Sequence, residues 1–197
     1  MLVAARSPRR LEKIARVLAH RQAGLTVVLE NIHDPHNVSA IFRTCDAVGV
    51  IGVELLYTTE KFPRLGKKSS SSATKWVDRR PHRSIDECFA LLRGEGMRIL
   101  ATRLEPGART LYELDLTQPT AFVFGNEHRG VSDEAARKAD ECIRIPMCGM
   151  IESLNVSVAA AVCLYETLRQ RLAAGMLERA QLPPEVLDAL ATAWRRK

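Results

Sequence analysis

The sequence predicts an α/β domain with a mostly parallel sheet and flanking helices, and three observations lead there. Short runs at residues 25–30, 97–102 and 120–124 are largely apolar from end to end, the mark of strands buried on both faces rather than one. The stretches between such runs carry helical periodicity, and strands alternating with helices build βαβ units. A chain of 197 residues, 46% of them hydrophobic, can bury one full core. The expected division is a basic N-terminal helix over 1–22, a main domain over 23–172 and a helical extension over 173–197.

In chain order, Ser7 and Pro8 open a pattern with Leu11, Ile14, Val17 and Leu18 on one side and basic residues on the other, an amphipathic helix running to about His20. Residues 25–30 form the first buried strand. A polar loop with Asn31, His33, Asp34 and His36 follows, and Asn37 or Ser39 can cap a helix reaching Ala47. Two histidines and an aspartate on one Pro-containing loop converge poorly on an ion, so no metal site is expected. Arg43 lies among Ile41, Phe42 and Val48; if half-buried it needs an anion, either Asp46 or a ligand phosphate.

Residues 53–58 read as a second strand, and residues 59–73, with four consecutive serines, as a surface loop. Residues 86–92 are helical, 97–102 and 120–124 are strands, Ser132 starts a new helix and 142–147 form the last strand. Residues 156–165 are small or apolar almost throughout, which suits a helix packed on several sides. Gly175 stops that helical region, Pro183 and Pro184 restart it, and Val186, Leu187, Leu190 and Trp194 make a final stripe.

Ligands of open parallel sheets sit beyond the carboxyl ends of the strands. Thr102, Gly125 and residues 145–150 all fall at such ends, so one pocket is expected among them. No G-x-G-x-x-G follows the first strand and no G-x-x-x-x-G-K-[ST] occurs, which disfavours an ordinary dinucleotide or P-loop site.

The formal charge of +6 and pI near 9.3 favour a polyanionic partner, and position sharpens this. Arg6, Arg9, Arg10, Lys13, Arg16 and Arg21 crowd the beginning; Lys61, Arg64, Lys67, Lys68 and Lys75 form a second cluster; Arg169, Arg171, Arg195, Arg196 and Lys197 form a third. They are expected to make an RNA-binding rim, or else ordinary solvated faces. The five cysteines form no C-x-x-C pair, which suits a reducing cytoplasm and argues against zinc. No run of 18 apolar residues and no signal-peptide pattern occurs, so no membrane association is expected.

Three segments carry a family resemblance: N-I-H-D-P-H-N-V-S-A-I-F-R at 31–43, F-V-F-G-N-E-H-R-G-V-S-D-E at 122–134, and I-R-I-P-M-C-G-M-I-E-S-L-N-V-S-V-A-A-A at 143–161. In order and spacing they resemble the three motifs of the SPOUT superfamily of RNA methyltransferases, specifically its SpoU/TrmH branch, which methylates ribose 2′-hydroxyls. The resemblance implies a C-terminal deep trefoil knot that forms a pocket for S-adenosyl-L-methionine, a homodimer, and tRNA as partner, with guanosine 18 of the D-loop the expected target. Another RNA, ribosomal or at the tRNA wobble position, and a non-catalytic RNA-binding dimer are the alternatives. It assigns catalysis to Arg43, acting with the substrate phosphate, and places Asn37, Glu127, Ser153 and Asn155 around the site. Thr102, Gly125, Ile145, Met147, Gly149, Ser153 and Leu154 are the expected cofactor contacts, and Arg9, Arg10, Arg16, Lys75, Arg169 and Arg171 the expected RNA contacts. A guanidinium with a pKa above about 12 is a poor base; a phosphate clamp that also steadies the developing alkoxide fits Arg43 at least as well. Glu127 and His128 are candidate proton acceptors. Ser153 and Asn155 could equally be helix caps, and Glu127 a surface turn residue.

Overall fold

A computed structural model of the chain describes residues 7–65 and 73–197. Arg6, Lys67, Lys68 and the four serines at 69–72 lie outside the described residues. Helix α1 spans Pro8–Ala19, strand β1 Leu25–Glu30, helix α2 Pro35–Val48, strand β2 Gly52–Leu56, strand β3 Asp78–His82 and helix α3 Ile85–Gly94. There follow β4 (Arg98–Thr102), β5 (Arg109–Thr110), β6 (Thr120–Phe124), α4 (Asp133–Lys138), β7 (Glu141–Arg144), α5 (Val156–Ala173) and α6 (Pro184–Arg196).

The seven strands form one sheet in the order β3-β2-β1-β6-β4-β7-β5, and every pairing is parallel. β1, an interior strand between β2 and β6, is buried along its whole length. Its side chains divide by period two: Val27 and Leu29 join Ile41, Phe42, Cys163 and Leu164 in the core under α2 and α5, whereas Val28 joins Phe89, Leu92 and Ala135 under α3 and α4. The predicted fold class therefore holds, with helices covering both faces of the sheet.

Several elements differ from expectation: the second strand ends at Leu56 rather than at 58, β5 is a two-residue strand that no apolar run marks, and three others differ more. β3 reads D-R-R-P-H, polar and with a proline, so it carries no apolar strand signal. It is an edge strand, where Pro81 removes no needed ladder bond. Its inward groups meet a fully buried carboxylate: Glu54 on β2 accepts from Arg80 Nε at 2.8 Å and pairs with His82 Nε2 at 2.6 Å. The last strand ends at Arg144 rather than Met147, because Pro146 has no N–H to donate and the chain turns out of the sheet. α2 starts before Asn37: Asp34 is the cap, accepting from the His36 amide at 2.8 Å, and Pro35 occupies the first helical turn.

The two ends of the described chain meet. Ile14 and Leu18 of α1 pack with Trp194 of α6, and Trp76 leans against Trp194 with ring centroids 4.9 Å apart and planes inclined by 57°. Arg21, expected in the basic rim, is instead 1% exposed, ion-paired with Asp46 at 2.6 Å and seated 5.0 Å above the Trp194 ring. That pairing also removes Asp46 as a partner for Arg43.

Arg171 is a second correction. At 1% exposure it cannot face RNA; it donates from α5 to the carbonyls of Leu116, Gly24 and Gln118 and to Gln22 Oε1. Burial pushes its pKa down to about 10. Its guanidinium ties the C-terminal half of α5 to the loops that precede β1 and β6.

Candidate active site

Because every strand runs the same way, all the carboxyl ends lie along one edge of the sheet, and β6, β4 and β7 are consecutive there. A cavity of about 650 Å³ opens at that point. Thr102, Gly125, Ile145, Met147, Ser153 and Leu154 all line it, so six of the seven expected cofactor positions converge. The seventh, Gly149, is not among the lining residues and sits in the exposed part of the 145–155 loop.

Gly125 is required on steric grounds. A β-carbon there would come within 2.1 Å of the backbone of Gly130 and Val131, so no side chain fits where the turn closes on itself. Gly130 itself has φ +68°, a left-handed conformation that glycine adopts without strain.

The volume falls in the range of small-molecule sites. Ile145, Leu154 and Val156 give an apolar surface for a nucleobase, and Arg144, Glu152 and Ser153 add polar groups to the same wall. The site is thus fit for a nucleoside bearing a charged amino-acid end, as S-adenosylmethionine is.

Beside the cavity, the three motif segments are joined by hydrogen bonds. Glu127 accepts from the His33 amide at 2.9 Å with one oxygen, and from the Asp34 amide at 3.0 Å and Asn37 Nδ2 at 2.9 Å with the other. Asn37 Oδ1 accepts in turn from Asn155 Nδ2 at 3.0 Å, and Asn155 Oδ1 accepts from the amide and hydroxyl of Ser157. Burial alone would raise the Glu127 pKa, but the bonds from Asn37, His33 and Asp34 outweigh it and hold the carboxyl below its ordinary value. Glu127 is therefore an anion with both oxygens engaged by donors, which suits it to fixing the α2 loop and not to taking a proton.

Asn155 is the N-cap of α5, so its capping role and its place in the site coexist. Ser153 is not a cap; it is exposed on the cavity wall. Arg43 is exposed on α2 and makes no hydrogen bond or ion pair among the described residues. The condition under which it would need a buried anion is not met: Ile41 and Phe42 are fully buried, and the helical turn directs Arg43, the next residue, to the opposite side and into solvent.

Of the expected RNA contacts, Arg9 and Arg16 are exposed on α1, Arg10 is half-buried, and Lys75 is exposed on a short 3-10 helix, Ala73–Lys75. Arg169 is exposed but held by Glu166 through two bonds of 2.8 Å. The five cysteines are free, and burial raises the thiols of Cys45 and Cys163 far above their ordinary value, leaving them as small apolar packers. Among the described residues no cluster of three or more His, Cys, Asp or Glu could hold a metal ion, and no helix is long and apolar enough to cross a membrane.

Two residues of the site escaped sequence reasoning as functional: Asn31, which has φ +53°, and Asn126, which bonds to its carbonyl. An asparagine after a buried strand was the available signal, since asparagine tolerates the left-handed region.

Residues 24–165 match the model of the SpoU rRNA Methylase family. A tRNA (guanosine(18)-2′-O)-methyltransferase of Thermus thermophilus is 48% identical over 192 residues, covering 98% of each chain. The crystal structure of an A. aeolicus TrmH/SpoU tRNA modifying enzyme superposes with a TM-score of 0.90 at 38% identity, covering 95% of each chain. A SpoU methyltransferase of Streptomyces viridochromogenes, solved in complex with the cofactor AdoMet, gives a TM-score of 0.67 at 26% identity over 79% of this chain and 59% of that one. With the three motif segments bonded to one another around a cavity at the strand ends, and a match that runs through all of them, the chain belongs to the SpoU rRNA methylase family.

Proposed function

We propose that this protein transfers a methyl group from S-adenosylmethionine to a ribose 2′-hydroxyl of tRNA, with guanosine 18 of the D-loop as the target. The observation that carries the reading is the continuous bonding of Ser157, Asn155, Asn37 and Glu127 beside a nucleoside-sized cavity. Agreement in length and sequence with the T. thermophilus enzyme, terminal helices included, supports tRNA as the substrate.

Bound S-adenosylmethionine supplies an electrophilic methyl carbon. Ile145, Met147, Leu154 and the strand ends at Thr102 and Gly125 are the residues to hold it. Asn37, Glu127 and Asn155 fix the start of α2 against the start of α5. Arg43, exposed and without a partner among the described residues, grips the phosphate beside the target ribose with its planar fork and stabilises negative charge developing on the 2′-oxygen. Ser153, on the cavity wall, is the hydroxyl available to the reacting groups. Arg9, Arg10, Arg16, Lys75 and Arg169 are proposed to meet tRNA phosphates.

The reading includes a homodimer, a deep trefoil knot in the 23–172 catalytic domain, helical extensions at 1–22 and 173–197, and a cytoplasmic location. Val158, Tyr165 and Leu172 leave an exposed apolar stripe on α5, and Met150 is 100% exposed beside it in sequence; contiguous apolar surface of this kind marks an interface.

The test is mass mapping of tRNA incubated with the protein and S-adenosylmethionine. One 2′-O-methylguanosine at position 18 is expected, and none in tRNA carrying deoxyguanosine there. Methylation at another nucleotide, or in ribosomal RNA only, overturns the target, and no transfer to any RNA overturns the activity.

A further inference from the structure

The bonds that hold Glu127 in place lead back to one residue outside the network. Asn31 directly follows β1, an interior strand of the sheet, and its φ of +53° is the one positive φ of a non-glycine residue among those described. Its side chain is engaged on one side: Oδ1 accepts from the amides of Thr58, Thr59 and Glu60 at 3.0, 3.1 and 3.1 Å, and Nδ2 donates to Thr58 Oγ1 at 3.3 Å. Its carbonyl is engaged on the other, accepting from Asn126 Nδ2 at 2.8 Å. Asn126 Oδ1 then accepts from the His128 and Arg129 amides, and Arg129 reaches back to Glu60 at 3.0 Å.

These contacts form a closed ring. It runs from Asn31 through residues 58–60 to Arg129, then through Asn126 back to Asn31, and it joins the ends of β2, β1 and β6. The Glu127 turn lies inside it. Tyr57 adds a strut, its hydroxyl donating to the Ile32 carbonyl at 3.0 Å. The amides of His33 and Asp34, which Glu127 must meet, follow Asn31 within three residues. Any rotation of the chain at Asn31 would move both amides relative to the Glu127 turn.

We propose that Asn31 is a positioning residue for methyl transfer: it clamps the loop that leads into α2 and the turn after β6 in the arrangement where Glu127 binds both amides and Asn37. This inference rests on the methyl-transfer reading given above. Asparagine is suited to the position for two reasons at once. It adopts the left-handed conformation more readily than other residues with a β-carbon, and its amide oxygen is a compact acceptor for three consecutive N–H groups. Glycine would meet only the first requirement. Aspartate would meet both, losing only the donation to Thr58.

The test compares Asn31→Gly with Asn31→Asp in the full chain. For Asn31→Gly, kcat for methyl transfer should fall by about 30-fold or more while the Kd for S-adenosylmethionine stays within about threefold, since misplacement of reacting groups acts on the chemical step. Amide hydrogen exchange at His33 and Asp34 should quicken by about tenfold or more as their protection is lost. Asn31→Asp should recover both to within about fivefold of the unaltered protein. Transfer and exchange unchanged in Asn31→Gly, or aspartate no better than glycine, would overturn the clamp. Should Asn31→Gly fail to fold, Asn126→Ala opens the same ring at its other joint and must give the same loss of protection at His33 and Asp34. If the unaltered protein methylates no RNA, the functional reading fails on its own, and the exchange comparison still decides whether Asn31 holds the loop.

Discussion

Arg43 carries its charge in the open, and that makes its substitution easy to interpret. With no partner to orphan among the described residues, Arg43→Ala should leave the melting temperature and S-adenosylmethionine binding unchanged. Methyl transfer should fall by two or more orders of magnitude, on the order of 3 kcal/mol of transition-state stabilisation. Arg43→Lys should recover little, because an ammonium lacks the planar fork; single-turnover assays on both variants check this. Glu127 gives a prediction in pH. Its folded pKa lies below the ordinary 4.5, so its contribution to stability is complete above that value and disappears as pH falls through the lower folded value. Melting curves between pH 6 and 3 should therefore show a steeper acid decline for the unaltered protein than for Glu127→Gln. These residues differ in how legible they were. Asn37, Glu127, Ser153 and Asn155 could be selected from the motifs they sit in, but the bonds that join Asn37 to Glu127 and to Asn155 could not, because each partner lies about ninety or more positions away in the chain. Asn31 was less legible still, since its part depends on a backbone angle and on amides of a neighbouring strand.

At the scale of elements, buried strands were plain where they were apolar and hidden where they were not. β1 and β6 lie where the apolar runs placed them. β3 escaped because its inward side chains are Arg80 and His82, which a fully buried Glu54 holds in place, and hydropathy does not register a strand held by charge. Helix α5 shows the opposite error, where basic residues near its end suggested a wet surface. Arg169 and Arg171 are two positions apart, and the helical turn sends the first to solvent and the second inward. Arg171→Ala should therefore cost about 3 kcal/mol or more in urea unfolding, since four acceptors lose their donor. Arg169→Ala should leave the urea midpoint close to that of the unaltered protein, since its pair with Glu166 is open to solvent. Equal effects from the two would refute the division.

For the whole molecule, parallel pairing was legible from the run of strands and helices, but the order of the strands was not. It places β6 between β1 and β4, a neighbour relation that local pattern does not encode. Association is the property to test at this scale. Val158, Tyr165 and Leu172 are 46%, 52% and 57% exposed along one helix, and light scattering at micromolar concentration should find about twice the 21.9 kDa of the chain. Tyr165→Glu with Leu172→Glu should shift that mass toward a single chain; a double variant that stays at the larger mass would move the interface elsewhere.

Where the chain ends meet, the protein also carries its own optical label. The sequence has two tryptophans, Trp76 and Trp194, and both belong to the cluster that joins α1 to α6. The central sheet and the cavity at its edge hold no indole. Intrinsic fluorescence is therefore a local gauge: on heating it reports when the terminal helices undock, and it senses the sheet only at the start of β3, two residues after Trp76. Emission and far-ultraviolet dichroism need not melt together, and a gap between the two curves would measure how independently the helical pair opens from the catalytic body.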